Sequence, residues 1–371
     1  MDENNLNIRK KTIDSLSIKN FRCFQNMEIE KFGHINLIVG KNSVGKTSLL
    51  EAINLFCTRF PPSIVLLMLE FRNESKRNKQ DFDILSPLFY GRPNILLLPP
   101  TITIGSLSHL NTYMSFKLDC YLRNIGADNI TNYSLIDEND IQNITQGFEY
   151  RLTVDHGLDL NQQHRIIKHY PLNKDAINQA YIPPPLYKSK IIFSYSTYVD
   201  KQLFYNIDLS SLKIQAIQFL QIINPDIIDF SLEVIDEKDM YFRVKIKDIE
   251  KPVPLSSLGD GVSRLLCIIL HLLDCKNGVL LIDEIENGLH YSIQVEVWKM
   301  IFKIAKELNV QVFATTHSDD CVKAFGGTAI EDQEQQGLLL KLLHNRKNQI
   351  VCISADEEEI EFTHQKNIEV R

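Results

Sequence analysis

Hydrophobic and polar positions near the N-terminus follow two periods in succession. The segments LSIKNF and HINLIVG are rich in apolar and β-branched residues, which predicts two strands. HINLIVG runs directly into a glycine-rich loop. Behind that loop, TSLLEAINLF carries Leu49, Leu50 and Ile53 at the spacing of one helix face. The pattern therefore predicts a strand, a glycine loop and a helix in direct succession.

The part of the chain from residue 255 onward alternates between helix-like and strand-like segments. GVSRLLCIILHLL and IQVEVWKMIFKIAKEL predict helices, whereas GVLLIDE and VQVFATTH predict strands that are apolar on both faces. Such strands occur in parallel sheets that are covered by helices on both sides. GLLLKLL and QIVCIS predict a closing hairpin. The fold class is therefore α/β, with a mostly parallel core sheet.

Between these two parts the hydrophobic pattern is weaker. FEYRLTV and IIFSY alternate with a period of two, as do FSLEVI and FRVKI, which predicts strands. Residues 182–186, IPPPL, predict an extended loop, and residues 209–223 an amphipathic helix. We expect an N-terminal antiparallel β part in a lobe at 1–57, an inserted α+β arm or lid at 58–207, and a C-terminal lobe at 208–371.

Composition is that of a globular protein, with 44% hydrophobic and 23% charged residues. No segment has the length and apolarity of a membrane-spanning helix, and the polar N-terminus lacks a signal-peptide core, so we expect a cytoplasmic protein. Seven scattered cysteines without a Cys-x-x-Cys pair indicate reduced thiols.

A net charge of −7 argues against general coating of nucleic acid. One basic cluster, FRNESKRNK, holds Arg72, Lys76, Arg77 and Lys79. This cluster is either a solvated surface or a local contact with nucleic acid or a protein partner.

Residues 40–47, GKNSVGKT, fit the pattern G-x-x-x-x-G-K-[ST]. Glycines let backbone N–H groups turn inward around phosphate oxygens, and the next helix points its N-terminus at them. We expect Lys46 to reach the β- and γ-phosphates of ATP and Thr47 to ligate Mg²⁺. A glycine turn without a ligand is the alternative, which the strand–loop–helix context disfavours. The predicted nucleotide-binding residues here are Gly40, Lys41, Asn42, Ser43, Val44, Gly45, Lys46, Thr47 and Ser48.

Polar residues follow both apolar strands of the C-terminal part. Asp283 and Glu284 come after VLLI, at the edge of a parallel sheet where ligands bind. We expect Asp283 to hold Mg²⁺ through its water shell and Glu284 to act as general base on the attacking water. His317 follows the next strand and can hydrogen-bond the γ-phosphate and that water. An acidic strand end and a structural histidine are the alternatives.

The stretch LSSLGDG places Ser257, Gly259 and Gly261 directly before a helix. A hydroxyl and glycine N–H groups at a helix N-terminus form an anion site. Because the first glycine loop already serves the nucleotide, a second phosphate-binding turn makes sense if it acts on the nucleotide of another subunit. An ordinary helix N-cap with a flexible lead-in is the alternative.

The order GKNSVGKT, LSSLGDG, LLIDE, TTHS resembles the ATPase head of the ABC type. SIKNFRCFQN is similar to the N-terminal strand of the SMC/RecF/OLD branch. IKNFRCF, DEIENGLH, TTHS and NIEVR resemble compact bacterial antiphage-defence ATPases, such as those of Septu and PARIS systems. Ser-Leu-Gly-Asp-Gly in place of the transporter form Ser-Gly-Gly-Gln favours this branch over a transporter subunit. No glutamine loop is recognisable, and the best candidate lies within 80–95.

This resemblance implies a slow Mg²⁺-dependent ATPase in which two subunits sandwich two ATP molecules head to tail. The Lys46 loop of one subunit would face Ser257 and Gly259 of the other, and the nucleotide would act as a switch. OLD nucleases add a TOPRIM domain after the ATPase, and this chain ends at 371. We therefore expect a sensor ATPase of an antiphage system, controlling a separately encoded effector such as a nuclease. A RecF-like DNA-repair or DNA-clamping ATPase is the alternative, and a transporter subunit is less favoured.

Overall fold

A computed structural model describes the chain at residues 12–74, 82–93, 100–109, 112–125, 131–136, 148–158, 165–171, 184–194, 201–208, 212–234, 240–332 and 337–355. The first strands are β1 (Leu16–Phe21), β2 (Phe24–Ile29), β3 (Ile35–Val39), β4 (Ile102–Gly105), β5 (Tyr113–Ile125), β6 (Thr131–Leu135), β7 (Phe148–Leu158) and β8 (Arg165–Pro171). The later strands are β9 (Ser189–Ile192), β10 (Ile227–Val234), β11 (Met240–Ile246), β12 (Val253–Pro254), β13 (Val279–Ile282), β14 (Gln311–Thr315), β15 (Gly337–His344) and β16 (Ile350–Ala355).

The helices are α1 (Lys46–Thr58), α2 (Pro62–Phe71), α3 (Lys201–Asp208), α4 (Leu212–Leu220), α5 (Asp260–Asp274), α6 (Gln294–Leu308) and α7 (Asp319–Glu331). Short 3₁₀ turns cover Phe82–Leu88, Leu255–Leu258 and Tyr291–Ile293. Within the described ranges, no helix is long and apolar enough to cross a bilayer.

A six-stranded sheet, in the order β16-β15-β3-β14-β13-β9, forms the centre of the molecule. β9, β13, β14, β3 and β15 run parallel, and only β16 is antiparallel. The strands β3, β13 and β14 are buried along their whole length, because both faces of the sheet are covered. This confirms the α/β class and the closing hairpin.

The two faces of this core sheet have different covers. Leu280 and Val312 point toward the layer of α5, α6 and α7, where Trp298 is fully buried. On the other face, Leu281 and Phe313 pack against α1 and a seven-stranded antiparallel sheet. Phe313 meets Phe32 edge to face at a centroid distance of 4.9 Å. Burial of one such large apolar side chain contributes about 1.5–3 kcal/mol.

The antiparallel sheet has the order β2-β1-β4-β5-β7-β8, with β6 paired to β5. It therefore combines strands from the middle of the predicted arm with the N-terminal hairpin. Helix α1 lies between the two sheets, and for this reason nearly all of its side chains are buried, including Glu51. α1 thus fixes the glycine loop relative to both sheets.

One detail differs from the expected pattern. α4 ends at Leu220 rather than at 223, because Pro225 disfavours helical backbone in the residue before it; residues 209–211 of this prediction lie outside the described residues. Of the predicted extended loop, residues 182 and 183 also lie outside them. The seven cysteines form no disulfide bond in the structure, and five of them are buried.

Candidate active site

The carboxyl ends of β3, β13 and β14 meet at one edge of the core sheet. β3 leads into the glycine loop, β13 into Asp283 and Glu284, and β14 into His317. A cleft of about 1030 Å³ opens at this edge. Its walls include Asn42, Ser43, Gly45, Lys46, Thr47, Ser48, Asp283, Glu284 and His317. Sheet order alone therefore brings together motifs that are more than 230 residues apart in the chain.

The glycine loop has the backbone of an anion cradle. Gly45 has φ 101°, which favours glycine, and a Cβ there would lie 2.5 Å from the Cys23 Sγ. Lys46 begins α1, and its Nζ donates to the carbonyl oxygens of Gly40 at 2.7 Å and Lys41 at 3.3 Å. Burial lowers the pKa of Lys46, and the carboxylates of Glu284 and Asp283 oppose this effect. A phosphate in the cradle would meet this ammonium and the first N–H groups of α1.

Oxygen atoms that can ligate a metal ion lie next to Lys46. Thr47 Oγ1 is 3.1 Å from both carboxylate oxygens of Asp283, and Thr315 Oγ1 donates to Asp283 Oδ1 at 2.7 Å. Burial raises the pKa of Asp283, and these two hydroxyl groups oppose the rise. Hydroxyl and carboxylate oxygens beside a phosphate cradle fit Mg²⁺, which takes one or two protein oxygens together with substrate phosphates.

Glu284 has a backbone that few side chains adopt. Its φ is 47°, and its N–H donates to Thr315 Oγ1 at 2.8 Å. A left-handed non-glycine residue costs about 1–3 kcal/mol, and such residues cluster at functional sites. The turn directs the carboxylate into the cleft, where Asn287 Nδ2 donates to Oε2 at 2.8 Å. The carboxylate of Glu284 is thus held in place at the wall of the cleft.

His317 lies beside Glu284. Its Nδ1 is 3.7 Å from Glu284 Oε1 and 3.3 Å from Glu286 Oε1, and its backbone N–H donates to Glu286 Oε1 at 3.0 Å. The ring is about half exposed toward the cleft. A base and an imidazole are therefore adjacent at the end of the phosphate cradle.

The model of the AAA ATPase domain family matches residues 12–88 and 92–322, which is more than half of the chain. The chain belongs to the AAA ATPase domain family. It is similar to a Helicobacter pylori ATP/GTP phosphatase, with 25% identity over 84% of this chain and 86% of that protein. It is also similar to a Thermus scotoductus OLD nuclease, with 23% identity over 82% of this chain. The match spans 58% of the length of that nuclease.

Two SMC head structures are similar to the ATPase at 12% identity. The SMC head domain from Thermotoga maritima gives a TM-score of 0.41, with coverage of 93% of this chain and 99% of that chain. An SMC head with an extended coiled coil, bound to the C-terminal domain of ScpA from Pyrococcus furiosus, gives 0.46, with coverage of 96% and 99%.

The predicted second phosphate turn of the ATPase does not reach this cleft. Ser257 and Gly259 are exposed at the N-terminus of α5, and among the described residues the cleft walls include none from 255–261. Gly261 packs directly against the backbone of Gly288, where a Cβ would collide with the carbonyl oxygen. Within one chain, the two phosphate turns of the ATPase are therefore separate.

The turn is nevertheless tied to the active site through its own helix. Arg264 on α5 is buried and donates to the carbonyl oxygens of Phe193 and Asp283, each at 2.7 Å. These carbonyls lie at the ends of β9 and β13. The position of α5 is thus coupled to the two strand ends that carry the site.

The cleft is also lined by four residues that were not among the predicted site residues, Arg22, Arg72, Tyr90 and Arg92. Arg22 lies within IKNFRCF, so the signal was in the segment already compared with the SMC/RecF/OLD branch. The buried Glu51 of α1 accepts from Arg22 Nε at 3.1 Å and from Arg72 Nε at 2.7 Å.

Of the basic cluster at 71–79, Arg72 lines the cleft, and its guanidinium forms an ion pair with Glu51 of α1. Lys76, Arg77 and Lys79 lie outside the described residues. Residues 90–92 of the segment that we considered as the glutamine loop line the cleft. A different segment, β9, is the strand that pairs with β13. The carboxyl end of β9 leads to Ser194, whose carbonyl oxygen accepts from Asn287 Nδ2 at 3.3 Å.

Proposed function

We propose that two copies of this ATPase close head to tail around ATP, and that closure is the signal which a separate effector protein detects. One observation carries the proposal: the glycine-loop cleft contains half of the predicted phosphate contacts, while Ser257 and Gly259 present the other half on the surface. A hydroxyl and N–H groups at the N-terminus of the 15-residue helix α5 suit the γ-phosphate held by a second copy.

The chemistry within one copy follows from the contacts above. Lys46 would place its ammonium on the β- and γ-phosphates, and Mg²⁺, held by Thr47 and Asp283, would neutralise charge on the same oxygens. Glu284 would accept a proton from water attacking the γ-phosphorus, while the bond from this phosphorus to the bridging oxygen breaks and ADP leaves with that oxygen. The imidazole of His317 would hydrogen-bond a γ-phosphate oxygen and fix the direction of attack. Neutralisation of the phosphate charge and alignment of the attacking water together would promote ATP hydrolysis.

The mass of the protein in solution tests assembly. In the Glu284→Gln variant, which should bind ATP and retain it, Mg-ATP is expected to double the mass measured by light scattering. Adding Ser257→Arg is expected to abolish this increase, because the long cation would fill the space meant for phosphate. Ser257 is exposed, so the substitution should leave the fold intact.

Ser134→Arg, on the exposed face of β6, is the matched control and should assemble as Glu284→Gln alone does. A Glu284→Gln protein that stays monomeric in saturating Mg-ATP would refute the closure model. A large mass that is indifferent to ATP would refute it as well, since other surfaces would then hold the copies together.

The biological output we propose is a sensor ATPase of a bacterial antiphage system. The Thermus scotoductus relative is named as a nuclease, which supports a link between this ATPase and a nuclease activity. Purification of the tagged protein from its native host should recover a stable effector in the ATP-bound state. Recovery of no partner, together with strong stimulation of hydrolysis by double-stranded DNA, would instead support a DNA-clamping ATPase.

The preference of the enzyme for adenine or guanine nucleotides is tested separately. The Helicobacter pylori relative is named for both ATP and GTP. We infer that ATP is the substrate, and parallel measurement of GTP hydrolysis would show whether the base is discriminated.

A further inference from the structure

The segment directly after the acidic pair holds a carboxylate for which the mechanism above has no use. Glu286 is 9% exposed at its side chain, and it lies two residues after Glu284. Its Oε1 accepts from the backbone N–H of His317 at 3.0 Å and lies 3.3 Å from the His317 Nδ1. Both of these contacts are to one residue, which lies 31 positions away on the neighbouring strand end.

The other oxygen of the same carboxylate is an unusual feature. Glu286 Oε2 is buried and has no hydrogen-bond partner among the described residues. It borders a small cavity with Gln294 and Trp298, and the Gln294 Oε1 is also buried without a partner there. A buried acceptor without a partner is unfavourable, so we infer that something requires the Glu286 carboxylate at this position. A role only in packing would be served better by an apolar side chain.

We propose that Glu286 is a positioning residue that fixes the His317 imidazole for hydrolysis. Because Glu286 Oε1 lies 3.3 Å from Nδ1, a proton on this nitrogen would face the carboxylate, and Nε2 would be the nitrogen left for the γ-phosphate. The second contact, at the backbone N–H, fixes the chain at the root of the same side chain. Glu286 thereby sets both the ring orientation and the nitrogen that faces substrate, without touching substrate itself.

The inference rests on the proposed roles of Glu284 and His317. Asn287 gives independent support, since it does for Glu284 what Glu286 does for His317. Its Nδ2 donates to Glu284 Oε2 at 2.8 Å and to the Ser194 carbonyl oxygen at 3.3 Å. Consecutive residues of one turn thus hold the two reacting side chains.

Two substitutions separate positioning from bulk packing. Glu286→Met keeps the side-chain length but removes the acceptor, so kcat should fall about 100-fold while KM changes less than about threefold. Glu286→Gln keeps a carbonyl oxygen for both contacts with His317, and its amide can donate to Gln294 Oε1. Glu286→Gln should therefore restore kcat to within about threefold of the unmodified protein. Glu296→Met, at an exposed position of α6, is the control.

A double-mutant cycle tests whether Glu286 acts through the histidine. In a His317→Ala background, Glu286→Met should cause no further loss of kcat, because the group it positions is gone. An additional loss as large as in the unmodified protein would overturn the inference. So would a Glu286→Gln variant that is as impaired as Glu286→Met while both keep the normal thermal midpoint.

A readout that needs no hydrolysis separates this inference from the proposed function. With ¹⁵N-labelled histidine, the His317 ring nitrogens can be assigned by their loss in His317→Ala. Their resonances should change in Glu286→Met and should stay in place in Glu286→Gln and in Glu296→Met. Unchanged resonances in Glu286→Met would overturn the positioning role even if hydrolysis is confirmed. If Glu284→Gln hydrolyses ATP normally, the proposed chemistry fails, and the ring resonances still decide the role of Glu286.

Discussion

Glu284→Gln is expected to lower the rate of ATP hydrolysis by about 10²–10⁴-fold while ATP binding is retained. The amide keeps the shape of the side chain and can still contact Asn287, but it cannot accept the proton of the attacking water. Lys46, Thr47 and Asp283 are untouched, so the phosphate cradle should be intact. Steady-state phosphate release gives the rate, and calorimetric titration with Mg-ATP gives the affinity.

Glu296→Gln makes the same chemical change at an exposed position of α6 and should leave both quantities unchanged. The assignment of Glu284 as general base would be wrong if Glu284→Gln kept a third or more of the turnover. Loss of binding together with turnover would show a different fault, namely that the carboxylate is needed to build the cleft. Glu284 has a left-handed backbone, which few side chains adopt and which is common at functional sites. We therefore expect Glu284→Gln to lose hydrolysis while it retains ATP binding.

Glu51→Ala is expected to lower the free energy of unfolding by about 3–5 kcal/mol, the largest stability effect we foresee. Glu51 is 1% exposed at its side chain and forms ion pairs with Arg22 and Arg72. The side chain of Arg22 is 4% exposed, so it cannot turn outward to water when its partner is removed. The buried guanidinium keeps only its pair with Glu74, and this loss of charge compensation, rather than the lost contact itself, causes the destabilisation. Urea denaturation followed by circular dichroism measures it.

Glu28→Ala, on the exposed edge strand β2, is the matched control and should change stability by less than about 0.5 kcal/mol. A second ion pair limits the effect of Glu51→Ala, because Arg22 NH1 also donates to Glu74 Oε2 at 2.5 Å. If Glu51→Ala and Glu28→Ala unfold at the same urea concentration, Glu74 alone compensates Arg22. The buried cluster would then contribute to the shape of the cleft wall and not to stability.

Much of the core could be predicted from the sequence because its signals are local. HINLIVG followed by GKNSVGKT and TSLLEAINLF specifies β3, the cradle and α1 within about twenty residues. The apolar strands β13 and β14 are each preceded by a helix and end in polar residues, which indicated the edge of the sheet where the site lies. The spacing of the apolar residues and the residue types in the turns are sufficient to predict these elements.

The middle of the chain could not be predicted in the same way. Its period-two segments correctly indicated strands at β7, β10 and β11, but not which strand pairs with which. β4 joins the N-terminal hairpin through β1, and β9 joins the core sheet beside β13. Pairing between strands so far apart depends on the burial of whole faces, which a local pattern does not contain.

The sequence by itself determined the α/β class, the phosphate cradle and the identity of the residues at its edge, because short contiguous segments encode each of these. Only the tertiary structure decided how those residues are supported. The pairs Arg22–Glu51 and Glu286–His317 join residues 29 and 31 positions apart that share no helix or strand. The tertiary structure also decided that Ser257 lies on the surface and outside the cleft of its own chain. Packing of α1 and α5 against the two faces of the core sheet sets these relations, and no periodic pattern reports them.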